Sequence, residues 1–385
     1  MPPDMNAPLK IVHVITGLQI GGAEIMLCRL LEAMDAGAFS CHVVCLGPRG
    51  PLAERVEKSG ATLTCLGLGS IFSLAGGWWR LARYLRRLRP NAVHTWMYHA
   101  DLLGGLAARF GGGRPPVAWA LHHSHAAGAM KRSTQLIVHL LARLSHWIPQ
   151  RIVSCSQASM ESHQHLGYDS SKFDLIFNGA DAGVFQPDPQ ARSQIRAELG
   201  ISENIPLIGF VGRNVPVKDL PTFLKAAALV LKARPKTHFL LCGPQMEAPA
   251  IPNVHIMPFR PDVHRIYPAL DLLALTSLSE ACPMSLIEAM ACGVPCTSTA
   301  VGDSAYIIHD ANAIAPVGNA EAIARTWLDR LLANDHQKIQ TSLAVRQRAQ
   351  SLFSLETCVH RYQSLYRNLA NQSQPVQSER QLLPT

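Results

Sequence analysis

Charged side chains make up only 16% of the 385 residues and aromatics 6%. Beside a hydrophobic content of 48%, so little charge excludes disorder through the body of the chain and points to well-buried sheets. No run of about 18 uninterrupted apolar residues occurs, so no membrane-spanning helix is expected. The opening MPPDMNAPLK lacks the charged and apolar segments of a secretion signal. Ten cysteines include no C-x-x-C pair. Cys45, Cys155, Cys242 and Cys296 stand in apolar runs, where thiols act as small core residues, so a reducing cytoplasm is expected. RNA-binding signatures and zinc-finger spacing are also missing, and basic residues do not alternate with aromatics along strands, which makes nucleic acid the weakest anionic partner. The net charge of +8 is left to suit an acidic membrane surface or a phosphorylated substrate.

A length of 385 residues exceeds one ordinary core and predicts two domains, each somewhat under about 200 residues. Apolar runs near Lys10–Thr16, Cys41–Leu46, Ala61–Leu66, Ala92–His94, Val117–Leu121 and Ile152–Cys155 alternate with helical stretches. That alternation predicts a parallel, doubly wound α/β sheet. The first run leads through GLQIGGAE to a helix near Ala23. Gly17, Gly21 and Gly22 do not make G-x-G-x-x-G, so a nicotinamide cofactor is disfavoured; the glycines either admit a phosphate or merely permit a tight turn.

Gly76–Pro90 sets Leu81, Leu85 and Leu88 on one helical face and Arg80, Arg83, Arg86, Arg87 and Arg89 around them, with Trp78 and Trp79 at the start. The pattern suits a helix lying on an anionic bilayer, and better still an ordinary surface helix with leucines in the core and arginines in water. The cluster Leu121–His125 has no carboxylate partner and no zinc spacing, so no metal is expected there. Phe177–Pro189, with its Asn-Gly turn and prolines, marks a connector and sets a domain boundary near residue 187.

In the second half, Pro206–Val211 reads as a strand. Arg213 and Lys218 follow it just before a helix, where two cations and free N–H groups converge on an anion. A cation at a helix start opposes the helix dipole unless something negative lies nearby. Further on, Leu272–Thr276 reads as a buried strand, followed by a loop with Glu280, a helix with Glu288 and a second apolar run from Val294. Ser285 and Glu288 have capping-box spacing, and Gly293 and Pro295 stop the helix, which places Glu288 in its first turn. There it either caps its own helix or accepts two hydrogen bonds from a vicinal diol.

Taken together, these segments resemble the family-4 glycosyltransferases. Glu280, Glu288, Ala289-Met290, Gly293 and Pro295 match the family's paired-glutamate signature, with Ala281 where Gly is usual. Gly212, Arg213 and Lys218 match its Gly-Arg-x-x-x-x-Lys string. Gly21–Glu24 match its first loop, and Asn178, Gly179, Asp181, Phe185 and Pro187 match its linker. Phe259, Arg260, Asp262 and Val263 partly fit its base-side string, with Pro258 in place of Gly. Val301–Asp310 resembles the loop that reaches toward diphosphate and sugar, with Tyr306 where relatives often have Glu.

The resemblance implies a GT-B fold, two Rossmann-like doubly wound parallel-sheet domains facing across a cleft. It implies domains at residues 1–187 and 188–352, a helix at 353–370 crossing back to the first, and a disordered tail at 371–385. By it, Arg213 and Lys218 neutralise the leaving nucleoside diphosphate, Glu280 orients the donor sugar, and Glu288 holds the ribose. Gly21 and Gly22 lie beside the diphosphate, Met284, Ser285 and Leu286 against the donor, and Arg260 beside the base. His122, or His123 one step away, faces the donor sugar. The function implied is metal-independent, retaining hexosyl transfer from a UDP- or GDP-sugar to a glycan or lipid-linked acceptor in bacterial surface polysaccharide (capsule, lipopolysaccharide) biosynthesis. No cofactor is implied. The location implied is cytoplasmic, with peripheral contact at the inner face of the plasma membrane through Trp78–Arg89. Two other readings remain: a nucleotide-sugar epimerase, which would convert donor without acceptor, and a sensor, which would bind donor without turnover.

Overall fold

The structure, a computed structural model, describes residues 7–68, 73–111, 113–123, 132–247 and 251–372. The tail from residue 373 and Ser124–His125 of the histidine cluster lie outside the described residues, while Asn371 and Gln372 end the last helix.

The first domain alternates β1 (Leu9–Ile15), α1 (Gly22–Ala33), β2 (Phe39–Cys45), α2 (Ala53–Lys58), β3 (Thr62–Cys65), α3 (Ser73–Leu88) and β4 (Ala92–Trp96). It continues with α4 (Tyr98–Phe110), β5 (Val117–Leu121), α5 (Arg132–Leu144), β6 (Arg151–Ser154), α6 (Gln157–His165) and β7 (Phe173–Leu175). The second opens with α7 (Pro189–Glu198), β8 (Leu207–Val211), α8 (Leu220–Ala233), β9 (His238–Cys242), β10 (Val254–Met257) and β11 (Leu272–Leu275). It closes with α9 (Met284–Ala291), β12 (Cys296–Thr299), α10 (Ser304–Ile308), β13 (Ile314–Ala315), α11 (Ala320–Leu331) and α12 (Asp335–Leu352), before α13 (Leu355–Gln372). Every strand pair is parallel.

The sheets run β3-β2-β1-β4-β5-β6-β7 and β10-β9-β8-β11-β12-β13. Each therefore reverses direction once, between β1 and β4 and between β8 and β11. Loops leaving the carboxyl ends of those strands bound the crevice where open parallel sheets take ligands. The same loops carry Gly21 and Gly22 after β1, Arg213 after β8 and Glu280 after β11.

Strands buried on both faces need helices on both. In the first domain α3, α4 and α5 cover one face through Leu81, Leu85, Ala107, Val138 and Leu141. The other is closed by α1 and by α13, whose Tyr362, Leu365, Tyr366 and Leu369 pack among Ile11, Val43 and Ala92. The last helix thus belongs to the core of the first domain. It is reached where Ala180 meets Ser354, with Ala180 N donating to Phe353 O and Leu355 N to Ala180 O, each 2.9 Å. In the second domain α7, α9, α10 and α12 pack on one face and α8 and α11 on the other. Among the described residues no helix is long and apolar enough to cross a membrane.

Candidate active site

A cleft of about 1470 Å³ lies between the domains, walled by the loops at both reversal points. From the second domain, Pro216–Lys218 forms a single 3-10 turn that ends at Asp219 in left-handed conformation, φ +48°. Asp219 caps α8 by accepting from Thr222 N, so Lys218 stands outside the helix and lines the cleft. Its ammonium donates to Glu280 Oε1 at 2.5 Å, and Ser277 Oγ donates to the same oxygen at 2.7 Å. The cation that opposes the α8 dipole therefore has a carboxylate, Glu280, beside it. Gly302, at φ +47°, runs under this loop, where a Cβ would collide with the carbonyl oxygens of Glu280 and Ala281. Arg213 is exposed on the cleft wall.

The first domain faces these groups with Gly21, Gly22 and Glu24 at the start of α1. The Glu24 carboxylate folds back over Gly21. Burial raises its carboxyl above the usual range, while its own backbone N–H and the charge of Arg213 across the cleft hold it down. His122 stacks on Trp96, ring centroids 5.1 Å apart and 16° between planes. Burial, and then its neighbour His123, pushes His122 down to about 3, so the imidazole is neutral near pH 7. Burial also lowers His123, with Glu280 raising it and Arg213 lowering it. Both histidines line the cleft.

Glu288 requires a correction. The helix α9 begins after Pro283, which caps it without a side-chain bond, so Ser285 is its second residue and no capping box forms. Glu288 falls in the second turn, and both its oxygens are used elsewhere. Arg29 Nη2, from α1 of the first domain, donates to Oε1 at 2.6 Å, and Tyr267 OH donates to Oε2 at 2.6 Å. Arg29 also stacks on Phe185 at 5.1 Å. Arg29, Tyr267 and Glu288 all line the cleft, so a carboxylate with lone pairs to spare stands where the domains meet.

Met284 and Ser285 also line the cleft, but Leu286 does not: its side chain is fully buried in the core of the second domain. Arg260 lines the cleft while its guanidinium is held by Asp262, at 2.9 Å twice, and by Glu198. A second correction concerns Val301–Asp310, which does not line the cleft. Asp303 is instead buried against the first domain, accepting from Gln157 N at 2.6 Å and Ala158 N at 2.8 Å at the start of α6. Free N–H groups at a helix start attract a carboxylate more strongly than the open cleft does.

Arg29 and Tyr267 were missed by sequence reasoning. A signal existed for Arg29: it is a lone charge between Met26, Leu27, Cys28, Leu30 and Leu31, all buried. A cation on the apolar face of a helix needs an anion.

Two parallel-sheet domains with their reversal points facing one cleft define the GT-B fold, and by fold and domain content the chain is of the GT-B glycosyltransferase class. Residues 20–184 match the family model Glycosyltransferase Family 4, and residues 191–350 match Glycosyl transferases group 1. The chain is 32% identical over 163 residues to D-inositol 3-phosphate glycosyltransferase of Segniliparus rotundus, a match covering 38% of this chain and 36% of that relative's length. It is 24% identical over 308 residues to UDP-Gal:alpha-D-GlcNAc-diphosphoundecaprenol alpha-1,3-galactosyltransferase of Escherichia coli, covering 76% of this chain and 79% of the relative. The crystal structure of HepE from Anabaena in complex with UDP-glucose superposes with a TM-score of 0.82 at 18% identity, covering 94% of this chain and 100% of that one.

Proposed function

We propose that the protein is a retaining hexosyltransferase, moving a sugar from a UDP- or GDP-sugar to a glycan or lipid-linked acceptor in the assembly of a bacterial surface polysaccharide. The observation that carries this reading is the pairing of Lys218 with Glu280 beside Arg213, set opposite the Gly21–Gly22 turn across the cleft. Sugar transfer passes through an oxocarbenium-like state in which negative charge grows on the departing diphosphate. Arg213, Lys218 and the N–H groups at the start of α1 answer that charge without a metal ion. Glu280, steered by Lys218 and Ser277, orients the sugar hydroxyls, and Glu288 holds the ribose. His122, neutral, offers the sugar a hydrogen bond rather than a charge. The departing phosphate accepts the proton of the incoming hydroxyl. UDP-glucose in the HepE structure and the diphosphoundecaprenol acceptor in the name of the Escherichia coli relative support the donor and acceptor classes.

The test is nucleoside diphosphate release from a panel of UDP- and GDP-hexoses, with and without undecaprenyl-diphosphate-linked sugar, and with proton NMR of the product. Acceptor-dependent release and a product with the donor's anomeric configuration are expected. Epimerised donor without acceptor, or an inverted product, would overturn the reading.

A further inference from the structure

Met97, between β4 and α4, holds φ +76° and ψ 156°, a conformation nearly confined to glycine. A side chain persists there only where its surroundings over-determine the backbone, and anchors stand on both sides of this one. Met97 N donates to Ala120 O of β5 at 3.1 Å, and Asp101 N to Met97 O at 2.9 Å. Asp101 is itself fully buried and accepts from Thr95 Oγ1 at 2.5 Å. Tyr98, 4% exposed, donates its hydroxyl to His163 Nε2 of α6 at 2.9 Å, while His163 Nδ1 donates to Ser159 O at 2.7 Å.

With Tyr98 pinned, its neighbours Met97 and His99 line the cleft, and His99 is exposed there. Beside them β5 runs out into His122 and His123, and Thr134 of α5 lines the same cleft. The Tyr98 and His123 rings lie 6.5 Å apart. One serine of α6 sets both: Ser159 Oγ donates to His123 O at 2.8 Å, and Ser159 O holds the His163 that holds Tyr98. Burial lowers His99 below the ordinary histidine range, as it does His123, so both imidazoles are neutral near pH 7. Among the described residues, the wall built by β4, α4, β5 and α5 brings no lysine, arginine or carboxylate into the cleft.

We propose that this strained turn forms an acceptor subsite in which His99 takes a hydroxyl of an uncharged sugar ring. The assignment rests on the transfer reaction proposed above and narrows its acceptor to a sugar whose reacting ring carries no charge. A neutral imidazole and a threonine hydroxyl can each donate to or accept from a sugar hydroxyl, and the Met97 thioether packs on the apolar C–H face of a pyranose. A phosphate group in the same place would lack the arginine or lysine that such an anion needs. His123 feels the charges of both Glu280 and Arg213, which puts this corner within reach of the groups assigned to the donor sugar and its diphosphate. A hydroxyl held there faces the sugar being transferred. His99 binds the acceptor and leaves its proton to the departing phosphate.

Nucleotide release by the full chain tests it, with undecaprenyl-diphosphate-linked N-acetylglucosamine and octyl pyranosides as acceptors, against the 6-phosphates of glucose and N-acetylglucosamine. Stimulation by the uncharged rings is expected, and none by the phosphates. His99→Ala should raise the acceptor KM about threefold to tenfold, as for one lost neutral hydrogen bond, with the donor KM and the nucleotide-induced rise in melting temperature unchanged. His99→Gln, which still donates to and accepts from a hydroxyl, should recover most of that loss. Met97→Gly should raise the acceptor KM without lowering the melting temperature, because glycine holds the same turn unstrained. Preference for the phosphates, an acceptor KM unmoved in His99→Ala, or an equal rise in its donor KM would overturn the subsite and leave the transferase reading standing. No stimulation by either class of acceptor would overturn the transfer reaction and the subsite with it.

Discussion

Lys218→Ala lowers the turnover number by about two orders of magnitude or more, the usual cost of removing one preorganised stabiliser of transition-state charge. The expectation follows from where Lys218 sits. The left-handed Asp219 takes over capping of α8, so the ammonium contributes nothing to the helix and is free to meet charge in the cleft. Its partner Glu280 keeps the bond from Ser277 in the variant, so the loop retains an anchor. The loss should therefore appear mainly in turnover under saturating donor, with a smaller change in donor KM, because the developing charge is greatest after the glycosidic bond has begun to break. Steady-state kinetics of nucleotide release reads both, and unchanged turnover would remove Lys218 from the mechanism.

Arg29→Ala destabilises the protein by about 3–5 kcal/mol, the range found when one partner of a buried ion pair is deleted. Both side chains of the Arg29–Glu288 pair are only 10% exposed. The truncation leaves the Glu288 carboxylate with the Tyr267 hydroxyl as its remaining donor among the described residues. Because the pair joins α1 to α9, part of the loss falls on the contact between domains, beside the Asp303 bonds to α6. Arg29→Met combined with Glu288→Gln should recover part of the stability, since neither variant side chain then buries an unpaired charge. Chemical denaturation of the three chains measures this. A loss under about 1 kcal/mol for Arg29→Ala would show the pair to be as weak as a solvated one.

The alternation of strands and helices was legible because strands covered on both faces read as continuous apolar runs. Val117–Leu121 and His238–Cys242 stand in the structure at the limits read from the sequence. The cations at 213 and 218 were legible because charge at the end of an apolar strand is conspicuous. Glu288 shows where local reading stops. Its spacing from Ser285 satisfied a four-residue rule, but the helix is capped by Pro283, which shifts both residues inward by two positions, a displacement that only tertiary packing decides. Leu286 was lost for the same reason: the helix turns that side chain toward the core. Arg29 and Glu288 are 259 residues apart, and Asp303 and Gln157 are 146 apart. Pairs between domains leave no periodic trace in either segment.

The most direct test of the cleft as a nucleotide-sugar site is thermal unfolding with UDP, GDP, ADP and CDP, for the wild-type chain and for Glu288→Gln. A ligand that binds only the folded state stabilises it by about 2.7 kcal/mol at a hundred times its Kd. The account predicts that one of the four raises the melting temperature of the wild type and that the shift is largely lost in the variant. No shift with any nucleotide, or the same shift in both chains, would contradict it.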